Sequence, residues 1–166
     1  MLTSKQPHGL LRLFLRMPIV LYRAHLGWLL GGRFLMLTHL GRKSGLPREV
    51  VLEVVQHDFE TGSYFVAAGW RGKADWFKNI QSNPEVQVMV GTRIFKAETS
   101  VVQMAEAVSI FHLYARCHPF AFRGLSYLMM GEMLQPVQYD CFWFAHSVPL
   151  VRLTPSHLNL TRKEDD

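Results

Sequence analysis

Two short turns constrain this chain more than any other feature. Val86, Val88 and Val90 alternate with Gln87 and Met89, Gly91-Thr92 breaks the run, and Arg93 to Val102 returns with strand-forming residues. Alternation with a period of two, closed by a two-residue turn containing glycine, is the signature of an antiparallel hairpin. A second hairpin is expected upstream, where Glu49 to Gln56 and Ser63 to Ala68 flank the polar loop His57-Asp58-Phe59-Glu60-Thr61-Gly62. A further strand is expected over Phe34 to Leu40. Helices are expected between and beside these strands. Residues 73–82 place Trp76, Phe77 and Ile80 on one face before the Asn83-Pro84 stop, residues 103–117 repeat Met104, Ala107, Val108, Phe111 and Tyr114, and a less regular helix covers 120–131. The aromatic stretch 140–154 reads as the final strand.

Short strands in hairpins with helices around them give a mainly β chain built as a closed or split antiparallel barrel, not a parallel sheet. With 166 residues and 49% hydrophobic residues the chain fits one folded domain spanning 1–166. Within it, the barrel strands occupy 34–102 and the helical segment 103–131. Cys117 and Cys141 form no Cys-x-x-Cys pattern and read as reduced, buried thiols. The eight histidines lack the three- or four-residue spacing that sets two ligands on one helical face, so no metal is expected.

Charge is distributed unevenly. Residues 1–48 hold eight Lys or Arg and no Asp or Glu, whereas the remainder is net acidic. The first third is therefore expected to face something anionic: a phosphorylated ligand, a membrane surface or a nucleic acid. Residues 8–30 read as an amphipathic helix with Arg12, Arg16 and Arg23 as a stripe, too interrupted by charge to span a membrane; it is expected either to pack on the barrel with its arginines toward water, the slightly favoured reading, or to rest on an anionic membrane surface. A nucleic-acid role is disfavoured, because the basic loop has no interleaved aromatics for stacking and no recognition-helix pattern.

The stretch richest in chemistry is Gly41-Arg42-Lys43-Ser44-Gly45-Leu46-Pro47-Arg48, a glycine-bracketed loop between two strands. Glycines let backbone N–H groups turn toward an anion, and Arg and Lys add charge-assisted hydrogen bonds to phosphate or carboxylate oxygens. The loop lacks the glycines of a Walker sequence and follows no Gly-x-Gly-x-x-Gly pattern.

Thr38 to Arg48, then Ala68-Gly69-Trp70, then Asp75-Trp76-Phe77-Lys78-Asn79-Ile80-Gln81-Ser82-Asn83-Pro84, resemble in order and spacing the deazaflavin-dependent nitroreductase family, the deazaflavin/flavin oxidoreductases. The resemblance covers about residues 34–102 and continues less specifically to the closing Leu150-Val151-Arg152-Leu153-Thr154-Pro155. It implies a split antiparallel β-barrel of the FMN-binding type, often dimeric, that binds factor 420, a deazaflavin whose tail bears a phosphodiester and a glutamate chain, with FMN as the alternative coenzyme. On that resemblance, Arg42, Lys43, Ser44, Gly45 and Arg48 would hold the tail. Backbone at Val50, Val51 and Leu52 would lie against the ring, and Ala68, Gly69 and Trp70 would flank it. Many relatives carry Ser-Lys-Gly-Gly at the last segment, and this chain lacks that serine and lysine, leaving main chain as the contact there.

The implied activity is transfer of a hydride from the reduced deazaflavin to a quinone, nitroaromatic or enone acceptor, in the cytoplasm or at the inner face of a membrane. In such chemistry the protein orients the coenzyme and excludes water. Tyr127 and Tyr139 are the candidate proton donors, Trp76 reads as a core anchor, and Asp75 and Asn79 as residues that cap or brace their helix. The competing expectation is a barrel that binds FMN, haem or a lipid without turnover.

Overall fold

The computed structural model describes residues 32–69 and 72–156. The expected helix over 8–30 and Trp70 lie outside these residues. Six strands form the framework: β1 (Phe34–Leu40), β2 (Pro47–His57), β3 (Tyr64–Ala67), β4 (Glu85–Val90), β5 (Arg93–Val101) and β6 (Leu150–Pro155). Four helices accompany them: α1 (Asp75–Ser82), α2 (Met104–Cys117), α3 (Pro119–Met130) and α4 (Gln138–Ser147). The strands close into an antiparallel barrel in the order β1-β2-β3-β6-β5-β4, with β4 pairing back onto β1 through Leu37 opposite Val88. Closure removes the exposed strand edges that an open sheet of this size would leave.

Strand alternation divides the core in two. Leu35, Leu37, Val66, Val88, Ala97, Val151 and Leu153 point into the barrel, where Trp76, Phe77 and Ile80 of α1 plug one end. Trp76 is buried as a core anchor. The opposite face of β3 presents Phe65 and Ala67, which pack with Val55 and Leu150 against α2, α3 and α4. The rings of Phe111 and Phe122 meet that of Phe144 edge to face at 4.7 and 5.3 Å. Such pairs add to area burial because each ring's positive edge meets a negative face. Arg152 lies outside on β6, over the Phe65 ring and paired with Glu106.

The hairpin turns, α1 and α2 fall where the sequence places them. The last expected strand does not: only Leu150–Pro155 is extended, and residues 138–147 form α4. Aromatic residues favour strands, but Cys141, Phe144, Ala145 and Val148 recur at helical spacing and are all buried, so burial of one helical stripe outweighs local propensity. α3 is also more regular than expected, with Pro119 in its first turn and Gly131 (φ 80°) ending it in the left-handed region. Cys141 is buried as expected, whereas Cys117 at the end of α2 is exposed, against the expectation that it is buried too. Among the described residues no helix is long and apolar enough to cross a membrane.

Candidate coenzyme cradle

The loop 41–46 is the tip of the β1–β2 hairpin, whose register runs from Phe34 opposite Glu53 to Leu40 opposite Pro47. β2 begins two residues earlier than the sequence suggests, so Arg48 stands on the strand opposite His39. The tip is closed by Gly41 N–H donating to the Leu46 carbonyl (2.9 Å) and Gly45 N–H donating to the Gly41 carbonyl (2.7 Å). A Cβ on Gly41 would stand 2.6 Å from Ser44 Oγ and 2.9 Å from Arg48 Nε, so the turn's closeness requires glycine there. Gly45 sits at φ 66°, a conformation that costs other residues energy.

A buried amide fixes this tip to α1. Asn79 is only 3% exposed, and its Oδ1 accepts from the Arg42 backbone N–H (3.1 Å) and from the Arg42 guanidinium (2.8 Å). Its Nδ2 lies 3.2 Å from His39 Nδ1. An amide nitrogen only donates, so His39 accepts at Nδ1 and is neutral in this arrangement. Burial lowers the His39 pKa, and the nearby Arg48 charge pushes in the same direction, against a hydrogen bond with Leu40. The Arg42 guanidinium also reaches the Asp75 carboxylate at 3.1 Å and its carbonyl at 3.4 Å. Asp75 and Asn79 therefore brace the basic loop, and α1 begins after Ala74, its N-cap residue, which makes no side-chain cap.

This geometry divides the five loop residues proposed from sequence. Arg42 is committed to α1, with its side chain 28% exposed. Lys43, Ser44, Gly45 and Arg48 are exposed, and neither Lys43 nor Arg48 makes an ion pair among the described residues. The N–H groups of Lys43 and Ser44 likewise have no protein acceptor there, while Ser44 Oγ accepts from Leu46 N–H at 3.3 Å. Two cations and two amides on one turn thus have hydrogen-bonding capacity that the described residues leave unused, which is what an anionic group requires.

Of the other predicted residues, Val50, Val51 and Leu52 stand on β2, and Ala68 and Gly69 follow its neighbour β3. Val50 and Leu52 pack against the barrel interior, Val51 stands opposite Met36, and all three are half-buried. Ala68 is fully buried in the interior, and its N–H donates to the Pro149 carbonyl at 2.8 Å, so that amide is not free for a ligand. Gly69 lies against Met129 of α3, whose Cγ would be 3.1 Å from a Cβ at Gly69. Tyr127 on α3 and Tyr139 on α4 are 57% and 78% exposed and take no part in the cradle.

Sequence reasoning passed over a second polar cluster, at the far end of the same hairpin. Tyr114 of α2 donates to Glu53 Oε1 at 2.7 Å, and Arg33 reaches the same oxygen at 3.3 Å. Burial, and then the Glu53 carboxylate, hold the Tyr114 pKa well above the ordinary phenol value. The available signal was one carboxylate inside Val50-Val51-Leu52-Glu53-Val54-Val55, because a lone charge in an apolar run needs a partner.

The closed antiparallel barrel with its accompanying helices is a split-barrel architecture. The family described as F420H(2)-dependent quinone reductase matches residues 16–121, and the chain belongs to it. It is accordingly an oxidoreductase that works with a deazaflavin coenzyme. No curated protein is matched. Among solved structures, an F420-H2 dependent reductase, FDR-A, shares 20% identity over 73% of this chain and 93% of its own, with a TM-score of 0.49. A structure described as a domain-swapped dimer shares 18% identity over 82% and 98% of the two chains, with a TM-score of 0.50. A pyridoxamine 5'-phosphate oxidase-related, FMN-binding protein from Nostoc punctiforme shares 14% identity over 92% and 82%, also with a TM-score of 0.50. At these identities the last two show the split-barrel fold alone.

Proposed function

We propose that the chain reduces a small flat electrophile, a quinone, nitroaromatic or enone, and holds its coenzyme's anionic tail at the hairpin tip. When bound, the reduced deazaflavin supplies the hydride. The observation that carries this reading is the uncommitted set at the tip: the Lys43 and Arg48 side chains and the Lys43 and Ser44 amides. They fit a phosphodiester, since each offers a donor and none is paired among the described residues. Arg42 serves by fixing the turn through Asn79, so that these donors are held in place before the ligand arrives.

Val50, Val51 and Leu52 would present backbone and partly buried apolar surface to the ring, and Gly69 and Trp70 would border it from the neighbouring segment. Ala68 contributes by packing, because its amide is already bonded to Pro149. Tyr127, Tyr139 or water would return the proton. The same reading places the enzyme in the cytoplasm, with the basic segment 8–30 resting on an anionic membrane surface. It also makes the protein a homodimer, a reading supported by the split-barrel relative described as a domain-swapped dimer.

A second reading shares the cradle: FMN also ends in a phosphate, and a barrel that binds it without turnover would use the same donors. Titrating apoprotein with factor 420 and with FMN side by side, then adding menadione anaerobically to the protein with the reduced deazaflavin, separates the two. The expected result is tighter binding of the deazaflavin and its rapid oxidation by menadione. Preference for FMN with no oxidation of the deazaflavin would favour the carrier.

A further inference from the structure

The amide that fixes the hairpin tip is itself fixed by a histidine. Asn79 Oδ1 accepts both the backbone N–H and the guanidinium of Arg42, so the amide cannot be turned over without setting its own N–H groups against those two donors. This orientation leaves Nδ2 facing His39 Nδ1 at 3.2 Å. Nδ2 only donates, and the imidazole completes the set only with Nδ1 unprotonated. His39 is 4% exposed and Asn79 3%, so neither has ready access to water as a substitute partner. A proton on Nδ1 would set N–H against N–H and place a charge in a buried site. The chain of contacts from His39 through Asn79 to the Arg42 amide would then open.

The charges on the surrounding elements do not rescue that proton. Arg48 stands opposite His39 on β2 and disfavours a second positive charge, while Glu49 alternates to the other face of the strand. Arg42 bonds the other end of the Asn79 amide and is paired with Asp75 of α1. Glu85 of β4 and Lys96 of β5, one of each sign, line a cavity of about 320 Å3 whose wall includes His39, Thr38 and Gln87. Because Glu85, Gln87 and Lys96 are exposed, this cavity gives protons a route to the imidazole. Burial, with the Arg48 charge adding to it and a backbone hydrogen bond at Leu40 opposing it, keeps the imidazole pKa below the ordinary histidine value. At neutral pH the chain of contacts is closed.

We propose that His39 is a positioning residue for coenzyme binding: neutral, it locks Asn79 and through it the Arg42 turn, and protonated it releases both, so the hairpin tip grips an anionic tail above the His39 midpoint and lets it go below. The ligand rests on the function proposed above, whereas the lock rests on the hydrogen bonds alone. One proton separates the two forms. The apparent Kd is therefore flat well above the midpoint, about doubled at it, and rises by up to about tenfold per pH unit below it.

The lock is read first without coenzyme, on the isotopically labelled full chain. Imidazole correlation spectra should show His39 as the Nε2–H tautomer at neutral pH, protonating only below the ordinary histidine midpoint of about 6.5. Protection of the Arg42 amide from hydrogen exchange should fall over the same interval. His39→Asn places an amide oxygen where Nδ1 stood and cannot titrate, so in that variant the protection should persist into acid. Factor 420 is then titrated into both proteins. The parent-to-variant ratio of Kd values, which cancels any titration of the coenzyme itself, should be about twice its neutral-pH value at the midpoint read from the spectra and climb below it. If His39→Asn does not fold, Asn79→Asp takes its place: a carboxylate accepts from Arg42 and from a protonated imidazole alike, so the His39 midpoint should rise and the tip stay locked in acid. A proton on Nδ1 at neutral pH, Arg42 protection indifferent to the His39 titration, or a Kd ratio flat across the midpoint would overturn the proposal. Failure of the function proposed above would look different: no factor 420 binding at any pH, with the tautomer and the amide protection upholding the lock.

Discussion

Replacing Asn79 with alanine is expected to destabilise the fold by about 3 kcal/mol and to weaken coenzyme binding at least tenfold. The side chain removed is almost fully buried and serves three groups at once: the Arg42 amide, the Arg42 guanidinium and His39 Nδ1. A buried group left without its partner costs about 1–3 kcal/mol. The guanidinium can turn to Asp75 or to water, so its loss is discounted, whereas His39 and the Arg42 amide have less recourse. For a chain of this size 3 kcal/mol corresponds to a fall in Tm of roughly 6–12 °C, readable by circular dichroism. Binding falls as well because the tip loses its attachment to α1 and must be ordered by the ligand itself. An unchanged melting curve would mean that the hairpin tip is held by something other than this amide.

The paired substitution Lys43→Gln with Arg48→Gln is expected to do the reverse, leaving stability within about 0.5 kcal/mol of the parent while weakening factor 420 binding about 100-fold. Both side chains are exposed and unpaired within the described fold, so nothing in the barrel depends on their charge. Each charge-assisted hydrogen bond to a phosphate oxygen contributes on the order of 1.5 kcal/mol after allowing for solvent exposure, and two give about 3 kcal/mol, or two decades in Kd. Added salt should narrow the difference, as expected for charges that water reaches. Neutralising Arg42 as well would confound the measurement, because its guanidinium ties the turn to Asn79 and Asp75. Isothermal titration of the paired variant, alongside its melting curve, reads both effects, and a large loss of stability would contradict the division of roles within the loop.

That division was only half legible in the sequence. Glycines at 41 and 45, the cations between them and the strands on either side are local facts, and local chemistry sets both the turn and its charge. Which cation is free and which is fixed depends on a partner 37 residues away, Asn79, and i and i+4 spacing with Asp75 hints only that the two share a helical face. The barrel was legible for the same reason as the loop: alternation of period two at Val86, Val88 and Val90 and short turns leave few other topologies. The helix at 138–147 was not, because Tyr139, Phe142, Trp143 and Phe144 favour strands as individuals, and the stripe of Cys141, Phe144, Ala145 and Val148 becomes decisive only against Phe111 and Phe122. Glu53 escaped notice because its meaning lies in Tyr114, 61 residues later.

The central claim is that the hairpin tip grips the anionic tail, and the most direct measurement leaves the protein untouched. Titrate the parent chain with factor 420 and with the same deazaflavin ring lacking the phosphodiester and glutamates, at low and high salt. The tailed coenzyme should bind about 100-fold more tightly at low salt, with the gap closing as salt rises. Equal affinity for the two, independent of salt, would contradict the claim.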